Sequence, residues 1–273
     1  MAAIFEVADE GLRPAGHAES LGEASAALPA GSYTTLRTYH GARVLRLEDH
    51  VRRLEQSLET LGHPGIHLER SRVQKALALA LRATGYSESR VRVTAAPDRL
   101  FVSIEPFAPL AEALYRDGVA CSVVTVRRSR PGAKDTRFIA EAARAQASLP
   151  AGIHEGLLAD TDGALLEGLS SNFFALRGGT LQTEGPRALP GVTRSLVLEL
   201  ARARLPVDLT AVRVDQLAEV SECFLTSVSR GILPVVAIDG RAVGPGMPGA
   251  LTRQLAMDLD TLAAREALPV DVR

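Results

Sequence analysis

Arg130-Pro131-Gly132-Ala133-Lys134-Asp135-Thr136 is the stretch on which the fold turns. Upstream, Val119 to Arg127 is rich in β-branched residues and reads as a strand. Downstream, Asp135 to Ala147 is alanine-rich and reads as a helix. Lys134 therefore stands in a loop between two regular elements, where reactive groups are commonly carried. It is also rare, because only two of the 31 basic residues are lysines, Lys75 and Lys134. On a solvated surface the two basic residue types serve alike, so a lysine kept in such a chain either remained by chance or marks a position that arginine cannot fill. Only a primary amine forms a Schiff base. Lys75 falls in mid-helix off the apolar face and reads as surface.

Working outward, Gly31 to Leu47 reads as two strands joined at His40-Gly41. Helices follow from about His50 to Gly62, with Val51, Leu54, Leu58 and Leu61 on one face, and from about Glu69 to Thr84, with Val73, Leu77, Ala80 and Leu81 on one face. Arg90–Ala95 and Leu100–Glu105 alternate as strands around Pro97-Asp98, and Pro106-Phe107-Ala108-Pro109 reads as a linker. Beyond it, strands are expected at Leu157–Ala159, Asn172–Leu176, Ser221–Ser229 and Val235–Ile238. Helices are expected at Thr193–Leu205 and Leu251–Glu266. The division is into residues 1–108, a small α+β domain, and residues 109–273, a larger domain carrying Lys134.

With 46% hydrophobic and 23% charged residues, the 273-residue chain can bury a sizeable core. A net charge of -1 gives no reason to expect a nucleic-acid or anionic-membrane partner. No apolar run approaches a bilayer span, and Met1 to Arg13 lacks the basic start of a secretory signal. Cys121 and Cys223 lie in apolar stretches; a disulfide stays open, but the preferred reading is two buried free thiols in a cytoplasmic protein.

Three further segments carry chemistry. In Leu166-Glu167-Gly168-Leu169-Ser170-Ser171-Asn172-Phe173-Phe174 a carboxylate and small residues lead into an apolar strand, which by itself describes an ordinary turn. Ala188-Leu189-Pro190-Gly191-Val192-Thr193-Arg194 opens a helix, with Thr193 as a cap and free N–H groups that favour an anion. Arg53, three residues after His50 on the first long helix, can pair with a phosphate.

The order of these pieces is more specific than any one of them. His50-x-x-Arg53-Leu54 comes first, then the isolated Lys134, then Glu167-Gly-x-Ser-Ser-Asn172 thirty-three residues later. Leu189-x-Gly-Val-Thr-Arg194 follows, and Ser227-Val228-Ser229-Arg230-Gly231-Ile232-Leu233-Pro234-Val235 comes last. From about Gly31 to Leu255 the chain resembles the class-IV (fold-type IV) pyridoxal-phosphate enzymes: branched-chain aminotransferases, D-amino-acid aminotransferases and aminodeoxychorismate lyases.

The resemblance implies a two-domain α+β fold, with a small sandwich-like N-terminal domain, a larger mixed β-barrel-like C-terminal domain and pyridoxal 5′-phosphate between them. It implies that Lys134 bonds the cofactor and shuttles the proton, and that Glu167 pairs with the pyridine nitrogen. It further implies that Arg53, Val192 and Thr193 hold the phosphate, that Leu189 packs on the ring, and that Ser227, Val228 and Ser229 reach the phosphate and the substrate carboxylate. Tyr33, Arg37 and Arg92 are the further substrate-binding candidates, since Tyr33, Thr35 and Arg37 share one strand face and Arg90 and Arg92 share another. No metal is assigned. The expected activity is ping-pong transamination between an amino acid and a 2-oxo acid, in a homodimer whose site is shared. A lyase expelling pyruvate from aminodeoxychorismate and a non-enzymatic carrier are the alternatives.

Some positions depart from the family pattern. Ile139 replaces a tyrosine that branched-chain enzymes keep five residues after the lysine, Val228 replaces a threonine of the second phosphate turn, and Gly231 replaces a glutamate. The segment Ala95-Ala96-Pro97-Asp98-Arg99 lacks the Arg-x-His with which D-amino-acid enzymes trap a carboxylate. Substrate identity therefore stays open.

Overall fold

The computed structural model describes residues 1–270 and resolves two units, of which the first comprises Met1–Ala108, Gly132–Ala140 and the described part of Leu262–Arg273. Its strands are β1 (Ala2–Ala8), β2 (Gly11–Ala18), β3 (Ser32–Tyr39), β4 (Arg43–Val44), β5 (Ser89–Ala95) and β6 (Leu100–Pro106). Its helices are α1 (Leu21–Ala26), α2 (Leu47–Thr60) and α3 (Arg70–Thr84). The strands form one antiparallel sheet in the order β4-β3-β5-β6-β1-β2, extended at β4 by Leu268–Pro269. Period-two alternation sorts its faces. Leu36, Val91, Val93, Val102 and Ile104 join Leu54, Leu58, Val73 and Leu77 of the two long helices in the core. Burying each such side chain contributes roughly 1.5–3 kcal/mol. On the opposite face α1 lays Leu21 and Ala24 on Ala2 and Ile4.

The second unit comprises Pro109–Pro131 and Glu141–Thr261. In chain order its elements are α4 (Glu112–Asp117), β7 (Val119–Val124), α5 (Arg137–Ala147), β8 (Ile153–Ala159), β9 (Leu165–Gly168), β10 (Asn172–Arg177), β11 (Thr180–Gln182), α6 (Val192–Arg202), β12 (Val207–Asp208), β13 (Val220–Ser227), β14 (Gly231–Ile238), β15 (Arg241–Ala242) and α7 (Ala250–Glu266). The division into units falls inside α5 and α7. Six strands close into a barrel in the order β7-β8-β9-β10-β13-β14, β14 pairing back with β7 and the β9–β10 seam being the single pair Glu167↔Asn172. Val119, Cys121, Leu157, Phe173, Cys223, Leu225 and Leu233 fill its core. Both cysteines are free thiols, and burial pushes the Cys121 thiol up to about 12.

Several elements differ from the sequence reading. The N-terminal segment, to which the sequence reading assigned no element, forms the β1–β2 hairpin, which fills one edge of the first sheet. β7 stops at Val124, where its pairing with Leu158 of β8 ends. Lys134 groups with the first unit and not with the segment 109–273 expected to carry it. The cause is backbone pairing: Tyr33 N donates to Lys134 O at 2.9 Å, Thr136 N donates to Gly31 O at 2.9 Å, and Asp135 bridges Ser32. α6 begins at Val192, so Thr193 is a first-turn residue and not the cap. The cap position is Gly191, and no side chain caps that helix.

Candidate active site

In the first unit Lys134 is fixed by its own backbone. Besides the bonds to β3, Lys134 N donates to Ser57 Oγ on α2 at 3.1 Å. Its ammonium lies 4.8 Å from the centre of the Tyr33 ring, and the Arg92 guanidinium lies 4.6 Å from the same ring. Three of the candidates therefore meet at one aromatic side chain. Beside them, Arg53 Nη2 donates to Thr34 Oγ1 at 2.7 Å, and Thr34 Oγ1 lies 2.8 Å from His50 Nδ1. Since Arg53 has only donors, Thr34 accepts from it and turns its own hydroxyl proton to His50. That bond needs Nδ1 without a proton. Accordingly burial, then the neighbouring Arg53 and Lys134 charges, hold the His50 imidazole well below its ordinary pKa.

Arg92 and Arg37 part company. Arg92 is 7% exposed, donates through Nη1 to Leu21 O at 2.8 Å and to Ser25 Oγ at 2.6 Å on α1, and reaches Thr35 Oγ1 through Nε. No carboxylate among the described residues bonds to it, and burial lowers its pKa. Arg37 instead pairs with Glu88 at 3.1 Å and stacks on the Tyr39 and Phe107 rings. Its cation is already committed to packing.

In the second unit Glu167 is 2% exposed. Its Oε1 accepts from Arg128 Nε at 2.8 Å, and its Oε2 accepts from Leu189 N at 3.0 Å. Asn172 Nδ2 reaches both Glu167 Oε2 at 3.5 Å and Leu189 O at 2.8 Å. The carboxylate and the Leu189 loop are thus set by one asparagine, placed opposite Glu167 by the strand register. Gly191 is required just beyond. A Cβ there would run into Asn172 Oδ1, so only glycine brings the start of α6 this close to the asparagine. With no side-chain cap, the first N–H groups of α6, at Val192 and Thr193, keep the electropositive end of the helix open to an anion. Arg194 turns the other way and donates to Glu184 O at 2.6 Å.

The Ser227–Ser229 turn connects β13 to β14. Ser227 Oγ accepts from Arg230 Nε at 3.0 Å, while Val228 and Ser229 are partly exposed. Thr226 Oγ1 beside this turn and Ser171 Oγ beside Gly168 are buried polar atoms with no partner among the described residues. Arg128, Asn172 and Glu155 were not singled out by the sequence reading. Asn172 carried a signal, as the last residue of Glu-Gly-x-Ser-Ser-Asn. Arg128 and Glu155 carried none, being one arginine among many and one acid in a strand.

Comparison with known proteins identifies the family. Residues 31–238 match the family model described as amino-transferase class IV. A Thermotoga maritima protein named a probable branched-chain-amino-acid aminotransferase is 31% identical over 241 residues, covering 84% of each chain. The D-alanine aminotransferase of Bacillus licheniformis is 27% identical over 241 residues, covering 82% of this chain and 84% of that protein. Among solved structures, the branched-chain aminotransferase of the thermophilic archaeon Thermoproteus uzoniensis with norvaline superposes with a TM-score of 0.80 at 23% identity, covering 98% of this chain and 99% of that one. An amine pinned by its backbone, a carboxylate fixed in a barrel wall and an uncapped helix start thus accompany a family match over most of the chain, and this protein belongs to the class IV aminotransferases.

Proposed function

We propose that this chain is a pyridoxal-phosphate transaminase that moves an amino group between an amino acid and a 2-oxo acid by a ping-pong mechanism. The observation that carries the reading is the primary amine of Lys134, held on a pinned backbone beside Tyr33. The residues fit the cofactor: the uncapped α6 start offers donors for a phosphate, and Glu167 is a buried carboxylate whose oxygens are already set by Arg128 and Leu189 N. Bound there, pyridoxal phosphate would supply an aldehyde for amines and a ring that accepts electrons.

The chain's own residues do the rest. Lys134 would hold the aldehyde carbon covalently, and its Nζ, once free, would carry the proton from the substrate Cα to that carbon. Glu167 holds a proton at the ring nitrogen. Arg53, Val192, Thr193, Val228 and Ser229 hold the phosphate, and Leu189 packs on the ring. Tyr33 orients Lys134, Ser227 faces the substrate carboxylate, and Arg92 supplies the cation that reads it. Arg37, paired and stacked as it is, has the weakest support of the substrate candidates. The relatives are named as aminotransferases, which favours transamination over pyruvate elimination. The same reading carries a cytoplasmic homodimer with a shared site; no helix among the described residues is long and apolar enough to cross a membrane.

Lys134→Arg tests the reading. It keeps the charge and cannot condense with an aldehyde. The variant should fold, bind no cofactor covalently, show no visible absorbance band and lose turnover. Full activity in that variant sinks the proposal. On the parent protein, a panel of L- and D-amino acids followed by cofactor absorbance in a half-reaction reads the donor.

A further inference from the structure

Glu155 of β8 is 1% exposed and carries a carboxylate that the proposed reaction does not use. An isolated charge at such a depth is costly, so its partners reveal what it is for. Its Oε1 accepts from Ser170 N at 2.6 Å and from Ser170 Oγ at 2.9 Å, and its Oε2 accepts from Arg230 Nη1 at 2.6 Å. Arg230 spends its remaining donors on the same neighbourhood. Nη2 reaches Ser170 O at 3.2 Å and Ser170 Oγ at 2.8 Å, and Nε reaches Ser227 Oγ at 3.0 Å. Tyr115 Oη donates to Arg230 O at 3.0 Å and fixes the backbone of that residue.

The network joins two loops far apart in sequence. Ser170 lies three residues after Glu167, in the turn that Gly168 N closes on Ser171 O at 2.9 Å. Ser227 opens the turn assigned to the phosphate. Gly168 shows how tightly the turn is packed, since a Cβ there would meet Ser171 Oγ and the Glu155 carboxylate. Burial alone would push the Glu155 carboxyl up, but the Arg230 charge and the Ser170 donors outweigh it and hold the acid below its ordinary pKa.

We propose that Glu155 and Arg230 are positioning residues that couple the Glu167 loop to the Ser227–Ser229 turn, so that one buried ion pair sets the groups for the ring nitrogen and for the phosphate together. This rests on the cofactor reading above. A guanidinium suits the task because its planar fork reaches a carboxylate and two serines at once, which the single ammonium of lysine cannot do.

The test uses full-length Arg230→Lys, Arg230→Met, Glu155→Gln and the Glu155→Gln/Arg230→Met double variant, stripped of cofactor. Phosphate-side binding is read as the ratio of affinities for pyridoxal 5′-phosphate and for pyridoxal. Ring-side setting is read as the pH at which the visible band of the lysine-bound form titrates. Each single variant should bind pyridoxal 5′-phosphate roughly tenfold to a hundredfold more weakly, the range through which supporting residues act, and should shift the titration of the band. The double variant should lose no more than the worse single, as partners in one network do. Parental values of both readouts with only a lowered Tm would make the pair merely structural and overturn the proposal. So would a change on the phosphate side alone, or additive losses in the double variant. If Arg230→Met and the double variant fail to fold, Arg230→Lys and Glu155→Gln decide by the same two readouts. A parent protein that forms no visible band with pyridoxal 5′-phosphate would instead refute the cofactor reading, a result distinct from any variant's.

Discussion

Replacing Glu167 by glutamine keeps the shape of the side chain and changes two things that can be measured separately. Both carboxylate oxygens accept, one from Arg128 Nε at 2.8 Å and the other from Leu189 N at 3.0 Å. An amide has one acceptor oxygen and one NH2 group, so in either orientation a donor faces a donor. With the NH2 toward Arg128, a guanidinium whose side chain is 7% exposed loses its counter-charge. With the NH2 toward Leu189, a backbone N–H is orphaned and the guanidinium faces only a neutral oxygen. Losing a hydrogen bond to a charged group costs roughly 1.5–3 kcal/mol, and breaking a buried ion pair by removing one partner costs about 3–5 kcal/mol. Because the amide oxygen still serves one donor, the expected loss of unfolding free energy lies near the lower range. On the proposed function, the chemical effect comes from the missing negative charge at the ring nitrogen. Removal of one preorganised electrostatic partner slows a reaction by about a hundredfold to a thousandfold. Denaturant unfolding of the cofactor-free variant reads the first effect, and a stopped-flow half-reaction reads the second. Unchanged stability would mean that Arg128 and Leu189 N do not depend on this carboxylate. A half-reaction within a few-fold of the parent would remove Glu167 from the ring.

Arg53→Ala removes a charge-assisted contact and should weaken cofactor affinity by about tenfold to a hundredfold, for roughly 1.5–3 kcal/mol; unchanged affinity on dialysis and titration would confine Arg53 to its bond with Thr34. Arg92→Leu should raise KM for 2-oxoglutarate far more than for a keto acid with a neutral side chain, and should lower Tm because Leu21 O and Ser25 Oγ lose their donor. Equal KM effects would assign Arg92 to the α-carboxylate or to packing, and a lowered Tm with no KM effect would leave it only its α1 role. His50 has a pKa depressed in the folded state, so between that value and the ordinary 6.5 the unfolded chain binds the extra proton. Stability is then full above pH 6.5 and falls as pH drops through that window, by up to about 1.4 kcal/mol per pH unit. Removing the imidazole by His50→Gln should flatten this part of the profile, and an unchanged slope in urea titrations would place the proton elsewhere.

The sequence by itself determined the elements whose patterns are local. The faces of α2 and α3, the alternation of β5 and β6 and the loop carrying Lys134 follow from periodicity and from the near-absence of lysine, because each depends on neighbours within a few residues. The motif order then named the family, and put forward residues for the amine, the carboxylate and the helix start. Tertiary structure decided what depends on pairing across distance. The closed barrel exists because β14 returns to β7 and β10 to β9, which no local pattern states. The β1–β2 hairpin and Lys134's place in the first unit follow from backbone hydrogen bonds made to distant strands. Arg37 and Arg92 were both candidates as cations on neighbouring strands, with Arg92 preferred, and one is stacked and paired with Glu88 while the other is buried against α1. Glu155 and Arg128 are ordinary charges in the chain. They become linked to Arg230 and Glu167 because burial makes an unpaired charge costly, so that each must find its partner wherever the fold brings one within reach.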